Sequence, residues 1–241
     1  MSNITTIGVI GLGNAGAPIL NNLNKSNKYK LVAFDIDTKK LNDIPKNIIK
    51  ATSIKNLAEQ CNVVLTCLPK PEHVLEAVDG KDGLLQNASS GMVWIDTSTT
   101  NFKQTKKLAT KASTYGVSML EATLTGGVHA LQNNNMVCLA GGDEVTFKLW
   151  KEVLQAAIGE VVVLCGKVGA GAIAKVVSNM LAFTNMVAAS ECMMIAKKAG
   201  LDLENFFDAI RVSAGNSFAW ETVVPHIFNQ KYESGFKMDI D

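Results

Sequence analysis

The segment Gly11-Leu12-Gly13-Asn14-Ala15-Gly16 sets three glycines in the pattern G-x-G-x-x-G. A short apolar run, Thr6–Ile10, precedes it, and a helical pattern from about residue 13 to 24 follows. In that context the motif reads as a dinucleotide turn. The first glycine permits a tight turn, the second lets the backbone approach a pyrophosphate, and the third lets helix and strand pack closely. The N–H groups at the helix N-terminus then attract phosphate oxygens. Asp35 ends a second apolar run about 20 positions further on, where an acid can bind both ribose hydroxyls and repel a 2′-phosphate. Ile36 follows it, where an NADP-binding chain would favour arginine, although Lys39 and Lys40 lie close. The structural alternatives are a glycine turn without a ligand and an Asp35 that merely caps a turn.

A second pair lies far along the chain. Lys175 and Asn179 are four apart in a helical pattern, so they share one face. Lys175 interrupts an apolar stretch, and burial would lower its pKa into a range useful for general acid–base work. Spacing alone equally allows a lysine that snorkels to solvent.

The elements that must position these residues follow from periodicity. Strand patterns occupy residues 6–10, 30–35, 62–68, 92–96, 118–122, 136–140 and 161–164. Helical patterns occupy 72–78 and 101–115, and another runs from an Asp143 cap to about Gly159. Strands alternating with helices predict a doubly wound, mostly parallel Rossmann-type α/β sheet. The alternation stops near Cys165, and the rest reads as helix. The predicted division is residues 1–165 for the dinucleotide and 166–241 for an incomplete all-helical domain, with the boundary in the glycine cluster 166–171.

Composition narrows the classes further. A net charge of +1 without charge blocks gives no electrostatic reason to bind nucleic acid or an anionic membrane. The cysteines, Cys61, Cys67, Cys138, Cys165 and Cys192, form no C-x-x-C pair, and the three histidines are far apart, so no metal site is expected. The thiols read as reduced. The N-terminus lacks a basic n-region, and glycines and Pro18 break it, so it does not read as a signal peptide. A cytoplasmic location is expected. Residues 172–199 are apolar enough to raise a membrane span, but Lys175, Asn179, Asn185 and Glu191 interrupt them, and a covered helix is expected instead.

Four blocks together resemble the β-hydroxyacid dehydrogenases, the family that includes 3-hydroxyisobutyrate dehydrogenase and tartronate semialdehyde reductase. Residues Gly11 to Pro18 look like its N-terminal signature. Asp96-Thr97-Ser98-Thr99 is similar to its D-x-S-T segment, and Thr125-Gly126-Gly127-Val128 to its S-G-G-V loop. Gly169-Ala170-Gly171 with Lys175 and Asn179 resembles its G-x-G-x-x-x-K-x-x-x-N helix. The resemblance implies that Lys175 is the catalytic lysine and that Thr125, Gly126, Gly127 and Asn179 hold the substrate. It implies that Leu68, Pro69 and Thr99 border the cofactor, with His73 a weaker contact. The implied cofactor is NAD rather than NADP. The implied substrate is a small 3-hydroxy acid or its semialdehyde, without phosphate, since residues 125–134 hold no lysine or arginine.

The chain departs from the family at several positions. Thr125 replaces serine, Glu121 and Thr123 stand where Asp and Pro are common, His129 replaces glycine, and Phe102 replaces a proline. Residues 235–241 resemble the run that leads to a K-D-L segment whose lysine helps hold the cofactor. The sequence ends before it, so weak activity is expected. A homodimer or larger assembly is expected to cover the long helix. Two other readings stay open: a related reductase acting on another carbonyl or an imine, and a non-catalytic dinucleotide-binding protein.

Overall fold

A computed structural model describes residues 5–126 and 128–228. Its packing divides the chain into two compact units, Met1–Lys175 and Val176–Asp241.

The first unit alternates strand and helix. In chain order it contains β1 (Thr6–Ile10), α1 (Gly16–Lys25), β2 (Lys30–Phe34), β3 (Ile49–Lys50), α2 (Ile54–Ala58), β4 (Val63–Thr66), α3 (Pro71–Asp79) and α4 (Leu84–Asn87). There follow β5 (Val93–Asp96), α5 (Phe102–Thr114), β6 (Ser118–Thr125), α6 (Val128–Gln132), β7 (Val137–Gly141), α7 (Glu144–Ala157) and β8 (Val162–Gly166). The sheet order is β3-β2-β1-β4-β5-β6-β7-β8. Every pair is parallel except β6 with β7. This is the doubly wound Rossmann order with two further strands, and its switch point lies between β1 and β4.

The central strands β1, β4 and β5 are buried along their whole length, which explains their unbroken apolar runs. Alternate residues feed two cores. Ile7, Val9, Val63 and Leu65 pack under Ile19, Leu23 and Leu154 of α1 and α7. Ile10, Val64 and Trp94 pack under Leu57, Val74, Leu84 and Leu108 on the other face. Asn22 of α1 is buried and donates its amide to Leu131 O at 3.0 Å and Ala157 O at 3.1 Å, tying α1 to the ends of α6 and α7. Asp143 caps α7 as expected, accepting from Thr146 N at 2.8 Å. Helix α1 begins at Gly16, later than the pattern suggested, because the glycine turn takes up the residues before it. Strand β6 runs on to Thr125 because the antiparallel β7 pairs with it to the end, Thr125 opposite Val137. The two-residue β3 and the short α2, α4 and α6 escaped the sequence reading; each is too brief to show a period.

Helix α8 (Ala170–Lys198) starts in the first unit and continues into the second, which adds α9 (Leu203–Arg211) and α10 (Phe218–Phe228). Ala189, Met193, Trp220 and Val224 form a small core there. Trp220 stacks on Phe207 and meets Phe206 edge-on, and its Nε1 donates to Phe207 O at 3.2 Å. The expectation that residues 172–199 form a covered helix is not met among the described residues. Only 11% of its most apolar window is buried, and Val176, Met180, Leu181, Met194 and Ile195 are exposed. By length and composition alone, α8 could cross a membrane.

Candidate active site

The glycine turn follows β1. Gly11 adopts φ +94°, which favours glycine, and a Cβ there would collide with Cys67 O in the loop after β4. A Cβ at Gly16 would overlap the carbonyl of Gly11, so α1 packs on the turn only because both residues lack side chains. Gly13 differs. It is exposed, and a Cβ there would meet no protein atom within 4 Å. Its reason for being glycine therefore lies in what approaches from outside. Asn14 beside it is exposed too, and Ala15 supplies no side-chain cap to α1, whose first turn holds no acid. Ala17 N–H bonds Gly13 O, Ile19 N–H bonds Ala15 O and Pro18 has no N–H, so the donors that can face an anion are those of residues 13–16, where the turn enters the helix, as a pyrophosphate requires.

Asp35 stands just past β2 and is 5% exposed. Its Oδ2 accepts the Leu12 N–H at 2.6 Å and faces Lys40 Nζ at 3.1 Å, while Oδ1 accepts Asp37 N–H at 2.8 Å. Burial pushes this carboxyl up, but the two N–H groups and the ammonium outweigh it and hold Asp35 below its ordinary value. Asp35 is thus a charged acceptor fixed to the glycine turn, with one oxygen only singly bonded. Ile36 beside it is 93% exposed. These residues fit a nicotinamide dinucleotide.

The loops after β4 and β5 are joined by a buried polar network. Trp94 Nε1 donates to Thr66 Oγ1 at 2.9 Å, and the Thr66 hydroxyl donates to Asp96 Oδ1 at 2.8 Å. The same oxygen accepts Ser98 N–H at 3.0 Å, and Ser98 Oγ accepts Leu68 N–H at 2.9 Å. Burial pushes Asp96 up to about 6, and the nearby charge of Glu121 adds to this, although bonds from Ser98 and Thr66 lower it. Asp96 and Ser98 therefore set the backbone of Leu68 at the switch point, leaving Pro69 and Thr99 exposed beyond it. His73 is exposed on α3.

Lys175 lies in the second turn of α8 and is half-buried; burial lowers its pKa, with no partner charge contributing. The start of α8 is fastened to β6. Glu121, buried at 2% exposure, accepts at Oε2 the N–H groups of Gly169 and Gly171, and Ala172 N–H also bonds its carboxylate. Thr123 Oγ1 lies 2.9 Å from Leu139 O and 3.1 Å from Gly171 O. Strand β6 ends at half-buried Thr125, followed by exposed Gly126 at φ +127°. Gly127, the side chain of His129 and residues 235–241 lie outside the described residues. Asn179 is half-buried on α8, one turn beyond Lys175, and lies near the start of the second unit, which opens at Val176. The first unit thus gathers the glycine turn, Asp35, Leu68, Thr99, Thr125 and Lys175 on the elements at and beyond the strand ends.

Two families match this chain in succession. That described as the NAD binding domain of 6-phosphogluconate dehydrogenase covers residues 6–166, and that described as NAD-binding of NADP-dependent 3-hydroxyisobutyrate dehydrogenase covers residues 169–241. The mitochondrial 3-hydroxyisobutyrate dehydrogenase of Mus musculus is 31% identical over 98% of this chain and 72% of its own length. The chain belongs to the β-hydroxyacid dehydrogenase family. The Homo sapiens enzyme of the same name is also 31% identical, over 96% of this β-hydroxyacid dehydrogenase and 71% of its own chain. Among solved structures, Mycobacterium tuberculosis 3-hydroxyisobutyrate dehydrogenase with L-serine superposes with a TM-score of 0.85 at 30% identity, covering 92% of this chain and 75% of that one.

As a β-hydroxyacid dehydrogenase, the protein is an oxidoreductase that binds a nicotinamide dinucleotide and acts on a hydroxy acid. Sequence spacing singles out the glycine turn, Asp35 and Lys175 as candidates but does not show what Asp96 and Glu121 bond. A signal existed for Glu121: a carboxylate in the middle of the apolar run Ser118–Thr125 needs buried partners.

Proposed function

We propose that this dehydrogenase transfers hydride between NAD, in preference to NADP, and a small 3-hydroxy acid resembling 3-hydroxyisobutyrate, or the matching semialdehyde in reverse. The observation that carries this reading is Lys175: a half-buried lysine with no counter-ion among the described residues, whose ammonium form burial disfavours, on a helix fastened to the strand that ends in Thr125. The assigned division is residues 1–165 for the dinucleotide and 166–241 for substrate and dimerisation.

When bound, the nicotinamide ring supplies the hydride acceptor. The chain's own groups handle binding and the proton. The Thr125 hydroxyl and the N–H groups of Gly126 and Gly127 donate to the substrate carboxylate, and the Asn179 amide adds a further contact. Lys175 Nζ, as the free amine, takes the hydroxyl proton while the carbon gives up its hydride. In reverse, the Lys175 ammonium returns that proton to the forming alkoxide. Asp35 selects the ribose with a free 2′-hydroxyl. The exposed apolar face of α8 and the segment 206–228 supply the interface of a homodimer. The five free cysteines support a cytoplasmic location.

Fluorescence titration with NADH and NADPH, then a turnover screen of small hydroxy acids, tests the assignment. Turnover with an unphosphorylated 3-hydroxy acid is the expected result. Dinucleotide binding without turnover of any hydroxy acid would instead make the chain a non-catalytic binder.

A further inference from the structure

The first turn of α8 carries backbone donors that no residue of its own helix can satisfy, as at any helix start. A side chain just before the helix usually meets them. Here the acceptor comes from another element: the Glu121 carboxylate, reaching from the interior of β6 to Gly169, Gly171 and Ala172. Room for it is made by glycines. A Cβ at Gly141, the β7 residue opposite Glu121, would strike the Glu121 carboxylate, and one at Gly171 would lie 2.8 Å from Leu139 O. Gly169 has φ +100°, and a Cβ there would run into the Phe102 ring. Two residues along β6, on the same face, the Thr123 hydroxyl lies 3.1 Å from Gly171 O and 2.9 Å from Leu139 O, so its one proton is shared between the two carbonyls. Gly171 is thus held at its N–H by Glu121 and at its carbonyl by Thr123.

We propose that Glu121 and Thr123 are positioning residues for Lys175: together they clasp Gly171 and so fix the height and rotation of the helix turn that presents the lysine. This rests on Lys175 being the catalytic lysine. The reach is short, because Lys175 is four residues past Gly171, one helical turn, and a helix transmits the placement of its first turn rigidly over that span. A displacement of about 1 Å at a reacting group can cost on the order of 10²-fold in rate. Both clasp residues act on the same glycine, so the two belong to one device.

The test uses the full chain with NADH and the best hydroxy acid or semialdehyde. Glu121→Ala should lower kcat by about 10–100-fold while the NADH Kd and the substrate KM move less than about threefold, the pattern of an effect confined to the transition state. Glu121→Gln should restore most of kcat, since its amide oxygen still accepts the N–H groups, and Thr123→Val should lower kcat several-fold on the order expected for one lost buried hydrogen bond. In a Lys175→Ala background both effects should shrink to less than about twofold, because groups acting through one residue are not additive. If Glu121→Ala fails to fold, the Gln and Val variants and their Lys175→Ala combinations carry the same test. Unchanged kcat in the foldable clasp variants, or equal losses with and without Lys175, would overturn the proposal. A Lys175→Ala variant that keeps its kcat would overturn the catalytic reading, and the positioning role with it.

Discussion

Lys40 sets its ammonium nitrogen 3.1 Å from Asp35 Oδ2, the same oxygen that accepts the Leu12 N–H of the glycine turn at 2.6 Å. One carboxylate thus stiffens the turn and faces a flexible, half-exposed cation. The two groups act in opposite directions on a 2′-phosphate: Asp35 repels it, and Lys40 attracts it. Asp35 is the fixed partner, held by two backbone N–H groups, so the chain should prefer NAD. Asp35→Ala should weaken NAD binding by about 1–3 kcal/mol, the range for a hydrogen bond to a charged group. Lys40→Ala should widen the preference for NAD. Paired titrations with NADH and NADPH decide it, and NADPH binding as tight as NADH to the unmodified chain would sink the assignment.

Lys175→Ala should cost about 10²–10⁴-fold in kcat with NADH binding nearly intact. The pH dependence carries a sign. Burial lowers the Lys175 pKa, so its free amine appears at lower pH than for an exposed lysine. Oxidation of the hydroxy acid needs that amine, so kcat should rise with pH through the lowered value, while the reduction rate should fall there. The Ala variant should lose this limb in both directions. Asn179→Ala should chiefly raise KM, since a contact made equally in ground and transition states affects binding alone. A variant at Lys175 with the same pH profile as the parent would make the lysine structural.

Asp96 should make the fold less stable as pH rises. Its carboxyl moves from an ordinary 3.8 to about 6 in the folded chain. A raised folded pKa favours the protonated native state. The contribution is fully present below about pH 4 and is lost as pH rises through about 6. Each tenfold change in proton affinity between the folded and unfolded chain is worth roughly 1.4 kcal/mol. On the order of 3 kcal/mol should therefore disappear across that window. Asp35 and Asp143, both held low, act in the opposite sense but at more acid pH. Urea unfolding from about pH 4.5 to 7.5 should show the decline, and Asp96→Asn should flatten part of it, since burial also pushes the Glu121 carboxyl up and it acts in the same sense. The same slope in both proteins would mean that another buried group titrates.

What the sequence made legible follows the range of the forces involved. The glycine turn, Asp35 and the strand–helix alternation are local, written in spacings of two to four residues. Asp96 reads only as a member of a similar block and Glu121 as a departure from one, because the partners that explain them, Thr66 for Asp96 and Gly169 and Gly171 for Glu121, lie 30 to 50 positions away in sequence. The apolar composition of α8 says that the helix needs cover but not what covers it, and the described residues leave its outer face bare. A second copy is the proposed cover. Light scattering at micromolar concentration should find a dimer or larger, and a stable monomer would show that this face tolerates water.

The three glycines of the turn should separate under mutation, because their reasons differ. Gly16 is glycine for the fold: a Cβ there would overlap Gly11 O, so Gly16→Ala must push α1 off β1. Overpacking of that kind costs about 1–3 kcal/mol. Gly13 is glycine for the ligand. A Cβ there meets no protein atom within 4 Å, and its φ is not in the left-handed region. Gly13→Ala should leave stability within about 0.5 kcal/mol of the parent, as for an exposed site. If a pyrophosphate approaches that backbone, the added methyl stands in its way, and NADH affinity should fall by about tenfold or more, the factor that ~1.4 kcal/mol represents. Denaturant melts and NADH titrations of the two variants form the comparison. Gly16→Ala should lose stability first and binding as a consequence; Gly13→Ala should lose binding alone. Parent-like NADH affinity in Gly13→Ala would place the phosphates elsewhere and remove the physical basis for reading this turn as the dinucleotide site.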